Sequence, residues 1–326
     1  MRLLVTGGAG YIGSHMVYRL IEGGHTVTVL DNLYSGFESA IHPKAHFVNG
    51  NISDRVLVSK VISEKKIEAI LHFAAHVEVG ESVSNPLKYY ENNTIGSEIL
   101  IRTAYDSGIR KFIFSSTAAI YESSDVPVTE ISVIKPANPY GLSKWMTEQI
   151  LRDLSAVTDF KYVALRYFNV AGASRSGKIG QSTPNATHLI KTAAEVATGK
   201  RSKMAIFGTD YSTPDGTGVR DYIFVEDLAE AHVLALDYLD RGGKSDVFNC
   251  GYGRGFSVRE VIETVKKISG VNFQVDENPR RPGDSASVIA DSAKIKTVMG
   301  WKPAFEDLEL ICKTALEWEK KLNKAD

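Results

Sequence analysis

The first half of the chain alternates short runs of apolar and β-branched residues with longer stretches in which apolar residues recur at helical spacing. The short runs predict strands at Leu3–Thr6, Thr26–Leu30, Ala45–Val48, Ala69–Phe73, Phe112–Ser115 and Tyr162–Arg166. The longer stretches predict helices near Ile12–Glu22, Asp54–Lys65, Pro86–Asp106 and Tyr140–Ser155. This alternation is typical of a doubly wound, Rossmann-type α/β fold, whose parallel sheet binds ligands at the carboxyl ends of its strands.

The pattern changes after Asn169. Residues 172–187 are rich in Gly, Ser, Thr, Pro and Asn and predict a long loop on the substrate side. The remainder predicts a smaller mixed α/β domain, with elements near Ala205–Phe207, Val247–Cys250, Val258–Ile268, Ser287–Ala290 and Asp307–Lys321. Residues 221–239 have a strand and helix pattern that could return to the main sheet. We therefore predict a cofactor-binding domain of residues 1–169 plus about 221–240, and a substrate-binding domain of residues 170–220 plus 241–326.

The composition is typical of an ordinary enzyme and does not indicate a nucleic-acid or membrane partner. The 326 residues carry a formal net charge of -1, which does not favour nucleic acid as a partner. No apolar run approaches the length of a membrane span, and Met1 leads directly into the first predicted strand, so we expect neither a membrane anchor nor a signal peptide. Cys250 and Cys312 lack metal-ligand spacing and are expected to be buried thiols. These features predict a cytoplasmic protein without a metal.

A glycine-rich segment, Thr6-Gly7-Gly8-Ala9-Gly10-Tyr11-Ile12-Gly13, follows the first predicted strand and opens the first predicted helix. Gly7 permits a tight turn, Gly10 lets the backbone approach a pyrophosphate, and Gly13 lets the helix pack closely on the strand. The helix N-terminus at Tyr11 and Ile12 then faces the phosphates. This context predicts a dinucleotide site, and the Gly-x-x-Gly-x-x-Gly spacing resembles that of short-chain dehydrogenases.

Asp31 indicates which dinucleotide is bound. It ends the second predicted strand, where a carboxylate can bind the 2′-hydroxyl of the adenosine ribose. Because it would repel a 2′-phosphate, NAD is favoured over NADP. Asn32 is expected to assist, and Asn51 to accept a hydrogen bond from the adenine amino group. The predicted lining of the cofactor cleft includes Ile52, Phe73, Ala74 and Ala75. For each of these residues taken singly, a packing role is the alternative.

Tyr140 and Lys144 lie four positions apart at the start of a predicted helix, so both side chains share one face. A nearby ammonium group favours phenolate and is expected to lower the tyrosine pKa from about 10. The Ser115-Ser116-Thr117 run ends the fifth predicted strand and could meet the phenol across the substrate. Such a set suits hydride transfer at a secondary alcohol, with Tyr140 as base, Thr117 as orienting group and Lys144 on the nicotinamide ribose. Taken singly, Tyr140–Lys144 would be a surface pair and Thr117 a strand cap.

Further motifs extend along essentially the whole chain: Thr6–Ser14 with His15, Val79–Ser82, Tyr89–Asn93, Ser115–Thr117, Tyr140–Lys144, Arg166–Asn169, Gly218–Tyr222 and Arg280–Asp284. With these, the chain resembles the extended short-chain dehydrogenase/reductase family and, within it, the UDP-glucose (UDP-galactose) 4-epimerases. The resemblance implies hydride removal from C4 to NAD⁺, rotation of a 4-keto sugar, and hydride return to its opposite face. It also implies tightly bound NAD and a homodimer formed through helices 86–106 and 140–157.

The resemblance also implies roles for individual residues. Tyr140 is implied as the base, Thr117 as its hydroxyl partner and Lys144 as a cofactor ligand, with Ser115, Asn92 and Phe168 on the cofactor side. The implied nucleotide-sugar contacts are Thr117, Asn169, His188, Leu189, Ala205, Ile206, Phe207, Arg220, Tyr222, Val258, Arg281, Asp284 and Val288. Two arginines suit a diphosphate, because a guanidinium group matches phosphate oxygens. The alternative for Arg220 is an ion pair with Asp221.

Several positions depart from the family pattern. Glu122 replaces a usual glycine, Asn51 an aspartate, Val77 a lysine and Phe224 a histidine, while Thr187-His188-Leu189 replaces Asn-Asn-Leu. None of these changes alters Tyr140, Lys144 or the glycine loop. They therefore bear on the sugar that is bound and leave the predicted chemistry in place.

Three alternatives to a UDP-hexose 4-epimerase remain open. Val288 could leave room for a substituent, which favours UDP-GlcNAc/UDP-GalNAc turnover alongside UDP-hexoses, and a UDP-uronate epimerase is a further variant. A nucleotide-sugar dehydratase is disfavoured, because Ala118 and Ala119 follow Thr117 where an acid and a base are needed. A non-enzymatic NAD-sensing protein is disfavoured because it would not need the Tyr140–Lys144 pair.

Overall fold

The computed structural model describes residues 1–184, 186–281 and 284–324. Its strands are β1 (Arg2–Thr6), β2 (Thr26–Asp31), β3 (His46–Asn49), β4 (Ala69–His72), β5 (Lys111–Ser115), β6 (Lys161–Tyr167), β7 (Asn169–Ala171), β8 (Lys203–Phe207), β9 (Val219–Phe224), β10 (Asp246–Cys250), β11 (Gly255–Ser257), β12 (Gln274–Asn278) and β13 (Ser287–Val288). Its helices are α1 (Tyr11–Glu22), α2 (Arg55–Glu64), α3 (Val79–Ser84), α4 (Pro86–Tyr89), α5 (Gly96–Asp106), α6 (Pro139–Val157), α7 (Leu189–Ala197), α8 (Val225–Asp240), α9 (Val258–Ser269), α10 (Ala293–Met299) and α11 (Leu308–Leu322). A π-helical turn over Tyr90–Ile95 joins α4 to α5.

Seven strands form one parallel sheet in the order β10-β6-β5-β4-β1-β2-β3. Strands buried on both faces need apolar side chains at nearly every position, and β1 illustrates this. Leu3 and Val5 pack in the core that contains α1 and α8, whereas Leu4 packs in the opposite core, which contains α2 and α5. The predicted doubly wound fold is confirmed. The strand order reverses at β1, so the ligand cleft is expected at the carboxyl ends of β1 and β4.

The rest of the chain forms smaller sheets around α7, α9 and α11, which pack against one another. Strand β9 pairs with β7, β11 and β13, and β8 pairs with β12. The core that lies under α1 continues into these helices, because Ile190 and Val261 belong to the same buried cluster as Val5. The two parts therefore share one apolar core.

Two strands, β9 and β10, do not lie in the domains that the sequence predicts for them. β10 pairs in parallel with β6 in the large sheet, where Phe248 and Cys250 are fully buried. β9 stays in the smaller sheet, although α8 after it does return to pack on β5 and β6. The reason is strand pairing: β10 occupies the edge of the large sheet beside β6, whereas β9 is already paired with β7, β11 and β13.

Within these ranges, no helix has both the length and the hydrophobicity needed to cross a membrane. The same residues contain no group of three or more His, Cys, Asp or Glu side chains placed to hold a metal ion. Cys250 and Cys312 are free, buried thiols, as predicted.

Candidate active site

The glycine loop turns sharply at the end of β1 because its glycines allow very close approach. Gly7 has a φ of +71°, and a Cβ there would lie 2.5 Å from the backbone nitrogen of Ala74. A Cβ on Gly13 would lie 2.1 Å from the Gly7 carbonyl oxygen, so only glycine lets α1 start this close to the strand. At Gly10 a Cβ would meet only the Gly7 oxygen, at 3.3 Å, so Gly10 otherwise faces open space. This is the open, side-chain-free cradle that a pyrophosphate requires.

The start of α1 also suits an anion. Gly10 is the N-cap and has no side chain to satisfy the first N–H groups, and the first turn carries no acidic residue. Unpaired N–H groups and the positive end of the helix dipole favour a phosphate there. The residues present therefore fit a bound dinucleotide diphosphate.

Asp31 lies beside the loop at the end of β2, which matches its predicted place. One carboxylate oxygen accepts a hydrogen bond from the Ala9 N–H at 2.9 Å, and the other accepts from the Leu33 N–H at 2.8 Å. A carboxylate can accept about four hydrogen bonds, so two more remain for ribose hydroxyls. Asn32 and Asn51 are exposed and accept from the N–H groups of Tyr34 and Ser53, each at 3.0 Å.

The remaining predicted cofactor residues differ in exposure. Ile52 is buried in the core with α2 and can offer only a small surface to a ligand. Tyr11 donates from its hydroxyl to the Gly172 carbonyl at 2.6 Å, which links the glycine loop to the substrate side. Phe73, Ala74 and Ala75 are half-buried directly after β4. They form the wall opposite Gly7.

Asn93 connects this wall to α6 and was not predicted. Its side-chain oxygen accepts from the His76 N–H at 2.8 Å, while its amide donates to the His76 carbonyl at 2.9 Å and to the Ser143 hydroxyl at 3.1 Å. Asn92, which was predicted, lies beside it in the π-helical turn and donates to the Asn93 side chain at 2.9 Å. The sequence shows two adjacent asparagines, Asn92 and Asn93, but it does not show which of the two side-chain amides is buried.

Lys144 is fully enclosed at the centre of the site. Its ammonium group donates to the Ser115 carbonyl oxygen at 2.7 Å and lies 4.9 Å from the Phe114 ring centre. Burial lowers the pKa of Lys144 to about 7, and the nearby Glu148 carboxylate opposes that change. Lys144 therefore changes charge within the neutral pH range.

Tyr140 corrects one expectation. The Thr117 hydroxyl lies close enough to the Tyr140 phenol to affect its pKa. However, the pKa of Tyr140 is raised by burial, which outweighs the lowering effect of the Thr117 hydroxyl, and the negative charge of Glu78 raises it further. The predicted lowering of this pKa by Lys144 is wrong for this structure, because that ammonium group points to the Ser115 carbonyl and burial dominates.

A buried ion pair fixes the strand end that carries Thr117. Glu148, one helical turn after Lys144, pairs with Arg166 at 2.6 Å, and both side chains are at most 4% exposed. The Ser116 hydroxyl donates to the same carboxylate. Arg166 also donates to the Tyr121 hydroxyl at 2.9 Å. The pair therefore anchors the run between Ser115 and Thr117 from behind.

On the substrate side, the two predicted arginines reach the surface. Arg220 donates to the carbonyls of Val219 at 2.8 Å and Ser285 at 2.6 Å, so the alternative ion pair with Asp221 is wrong. Asp221 is instead buried and accepts from three backbone N–H groups, those of Tyr252, Gly253 and Ala290. Arg281 pairs with Asp284 at 2.9 Å and lies 4.7 Å from the Phe207 ring centre. Pro282 and Gly283, between this pair, lie outside the described residues.

The other predicted substrate residues form two groups. Asn169, His188, Leu189 and Tyr222 line one small cavity, with burial lowering the pKa of His188. Ala205 and Phe207 are partly exposed, but the Ile206 side chain between them is buried in the core, so its predicted contact is limited to the backbone. Val258 begins α9 and is half-buried.

Val288 belongs to a separate apolar cluster close to the predicted base. It packs with Phe168, Tyr121 and Ala118, and its strand is paired so that Val288 lies opposite Arg220. This places Val288 between the arginines and the Thr117 turn. The position is consistent with the predicted influence of Val288 on a sugar substituent.

A cavity of about 450 Å³ opens beside Asp284. Its lining includes Asp284, which was predicted to contact the substrate. Tyr121, Tyr211 and Arg280 are among the lining residues for which no contact was predicted. Arg280 lies 4.0 Å from the Tyr211 ring centre and pairs with Asp210 at 2.7 Å. A sequence signal existed only for Arg280, which precedes Arg281 in the same motif.

Comparison with known proteins gives consistent results. The model of the NAD dependent epimerase/dehydratase family matches residues 3–251. The UDP-glucose 4-epimerase of Azospirillum brasilense is 48% identical over 325 residues, covering 99% of this chain and 93% of that relative. The structure of UDP-glucose 4-epimerase from Stenotrophomonas maltophila with bound NAD and formylated UDP-arabinopyranose is 39% identical, covers 100% of both chains and gives a TM-score of 0.96. The UDP-Glc/GlcNAc 4-epimerase from Campylobacter jejuni is 51% identical, covers 98% and 99% of the two chains and gives a TM-score of 0.85.

Proposed function

Because the chain belongs to the NAD-dependent epimerase/dehydratase family, we propose that it is a 4-epimerase that interconverts UDP-galactose and UDP-glucose. One observation carries this proposal: Thr117, Tyr140 and the enclosed Lys144 lie at the same sheet edge as the open glycine cradle. Full-length relatives of that name support it.

The proposed reaction moves one hydride and one proton at C4 of the sugar. Bound NAD supplies the hydride acceptor and, for the return step, the hydride donor. Tyr140, as phenolate, accepts the proton of the C4 hydroxyl while the C4–H bond breaks and a ketone forms. After the sugar has turned, Tyr140 returns the proton to the ketone oxygen, and C4 has the opposite configuration. Thr117 keeps the reacting oxygen in line with the phenol.

We assign the cofactor contacts as the sequence predicts. The backbone of the glycine loop would hold the diphosphate, Asp31 the adenosine ribose, and Lys144 the nicotinamide ribose. The large sheet would thus bind NAD. The residues after Asn169, apart from those of α8 and β10, would bind the nucleotide sugar.

The proposed substrate site extends from Tyr140 to the two arginines. Arg220 and Arg281 would pair with the diphosphate, and Asp284 would accept from ribose hydroxyls. Asn169, His188 and Leu189 would form the opposite wall. Turnover of UDP-GlcNAc/UDP-GalNAc is the favoured second activity, because the valine at position 288, which packs with Phe168, is smaller than an aromatic side chain would be.

The dehydratase alternative remains disfavoured. Elimination across C5 and C6 needs an acid and a base beside the ketone. Ala118 and Ala119 occupy the turn after Thr117, and the Ala119 N–H donates a hydrogen bond to the Thr117 hydroxyl oxygen at 3.1 Å. Neither alanine side chain can transfer a proton.

We also propose a cytoplasmic homodimer formed through α4–α5 and α6. These helices expose apolar side chains, including Leu87 at 76% and Ile95 at 54%, which association would cover. The free thiols of Cys250 and Cys312 fit a reducing compartment. Sedimentation would test the dimer, and Leu87→Glu is expected to yield monomers. A monomeric parent protein would contradict the proposal.

The decisive experiment incubates purified, NAD-loaded protein with UDP-galactose or UDP-GalNAc, without added reductant, and separates the products. We expect UDP-glucose from the first and UDP-GlcNAc from the second. Protein that retains NAD yet converts neither substrate would instead be the NAD-sensing regulator considered above.

A further inference from the structure

Gln181 and His188 contact each other in the segment that leads into α7. Both residues line the small cavity that also includes Asn169, Leu189 and Tyr222. The side-chain amide nitrogen of Gln181 lies 3.0 Å from Nδ1 of His188. His188 was predicted to contact the nucleotide sugar, whereas Gln181 was not assigned a role. The contact therefore adds a residue to the proposed substrate wall.

The backbone around Gln181 is held by α11. Gly180 packs directly on the Trp318 ring, since a Cβ on Gly180 would lie 2.4 Å from Cγ of Trp318. The indole N–H of Trp318 donates to the Ser182 hydroxyl at 3.3 Å. Trp318 thus contacts the residues on both sides of Gln181, and α11 itself packs against α7. The amide of Gln181, which is only 9% exposed, therefore has a fixed position relative to His188.

This amide determines which nitrogen of His188 carries the proton. A side-chain NH₂ group donates hydrogen bonds and accepts none. Nδ1 must therefore be the acceptor, so the proton of the neutral imidazole is on Nε2. Desolvation by the surrounding protein lowers the pKa of His188, against the opposing charge of Glu78, while the side chain remains exposed to the cleft. At pH 7 His188 thus offers a neutral and accessible Nε2–H donor.

The cationic side chain that lines the same cavity cannot take this role. Lys191 is 5% exposed, and its ammonium group is paired with Glu319 and lies 3.3 Å from Glu195. An ammonium group shared between two buried carboxylates is not free to bind a ligand. His188 is therefore better placed than Lys191 to donate to a ligand at this wall.

We propose that Gln181 is a positioning residue, which holds the His188 imidazole in the orientation and tautomer whose Nε2–H donates to an oxygen of the bound nucleotide sugar. The proposal rests on the proposed function, which places the nucleotide sugar against this wall. The acceptor belongs either to the UDP moiety or to the hexose, and both offer oxygens that need the same donor. In the other tautomer Nε2 carries a lone pair, so the same oxygen would lose its donor.

The test is Gln181→Met, which keeps the length of the side chain and removes the amide. We expect the Kd of UDP-glucose for NAD-loaded protein, measured by calorimetry, to rise about five- to tenfold, because one hydrogen bond to the ligand is no longer held in place. kcat for UDP-galactose should change less than about twofold. An equal rise in the Kd of UDP assigns the acceptor to the UDP moiety, and a rise for UDP-glucose alone assigns it to the hexose. Unchanged Kd values for both ligands would overturn the proposal.

Two further variants separate the donor from the fold. His188→Gln places an amide nitrogen near the position of Nε2, and this donor does not depend on a tautomer. It should bind UDP-glucose like the parent protein, and adding Gln181→Met should cause no further loss. Gln274→Met makes the same change on the exposed β12, where Gln274 donates to Asp276, and should leave both Kd values unchanged. An equal loss from Gln181→Met in the parent and His188→Gln backgrounds would identify a general structural effect and refute the proposal.

Nitrogen-15 NMR of the imidazole groups gives a readout that needs neither ligand nor turnover. The signals that disappear in His188→Gln identify His188. In the parent protein they should show a protonated Nε2 and an unprotonated Nδ1, and Gln181→Met should add a detectable fraction of the other tautomer. A protonated Nδ1 in the parent protein would contradict the proposal. If the expected tautomer and UDP binding are found but UDP-galactose is not converted, the epimerase proposal fails and the role of Gln181 stands.

Discussion

The two ends of the cleft are built in opposite ways. At the proton-transfer end, Lys144, Glu148 and Arg166 are enclosed by protein, and the pKa of Lys144 is lowered to about 7. At the diphosphate end, Arg220 and Arg281 are half-buried or exposed and are held by backbone carbonyls and by Asp284. Enclosed charges change protonation when their surroundings change, whereas solvated charges mainly add binding energy. Substitutions at the first end should therefore alter rate, and those at the second should alter affinity.

The strongest test of this contrast is Tyr140→Phe, which removes the proton acceptor and keeps the ring. We expect kcat for UDP-galactose to fall about a thousandfold or more, as for loss of a general base, with NAD still bound and KM nearly unchanged. Steady-state kinetics and absorbance of the bound cofactor measure this. Near-normal turnover would show that Tyr140 is not the base.

At the other end, Arg220→Leu should raise KM for UDP-galactose by roughly ten- to a hundredfold with kcat largely kept, because a charged hydrogen-bond partner of the diphosphate is lost. Arg254→Leu is the matched control, since Arg254 is exposed and lies over the Phe256 ring. A fall in kcat without a change in KM would abolish the distinction between the two ends.

Val288 lies where the two ends meet, so its substitution should affect one substrate only. Val288→Tyr should reduce turnover of UDP-GalNAc about tenfold relative to UDP-galactose, because a tyrosine ring is larger than the valine that packs with Phe168 and would extend toward the sugar substituent. UDP-galactose turnover by the same preparation serves as the control. Unchanged turnover of both substrates would remove Val288 from the sugar site.

The smallest expected effect concerns stability. The pKa of Lys144 is about 7 in the folded protein and about 10.4 in the unfolded chain, so the unfolded state binds more protons between these values. The penalty for burying the charge is therefore complete below pH 7 and is relieved as pH rises toward 10. Lys144→Met should raise the Tm, and the gap to the parent protein should narrow by about 3 °C between pH 6 and pH 9. A gap that is constant with pH would contradict this.

Local pattern was sufficient wherever neighbouring residues determine the structure. The turn at Gly7, the place of Asp31 at the end of β2 and the shared face of Tyr140 and Lys144 follow from short-range geometry, and the structure has all three. The direction of the Tyr140 pKa could not be predicted, because it depends on burial and on Glu78.

The features that the sequence did not predict depend on contacts between residues that are far apart in the chain. The bond between Glu78 and Thr187 joins residues 109 positions apart, and the buried amide of Asn93 is recognised only when His76 and Ser143 are seen around it. The assignment of β9 and β10 to their sheets likewise depends on which strand edges are free. None of these relations leaves a periodic signal in the chain.

The π-helical turn at Tyr90–Ile95 has a consequence for how such chains can diverge. Each residue advances an α-helix by about 100°, so deleting one residue within the turn would rotate everything after it by that angle. Leu100, Ile101 and Ala104 of α5 would leave the core, or Asn93 would leave His76 and Ser143. The extra residue thus sets the phase between a polar contact and an apolar face. An alignment that closes a gap there would pair residues pointing in different directions, and length in this segment should vary less than amino-acid identity.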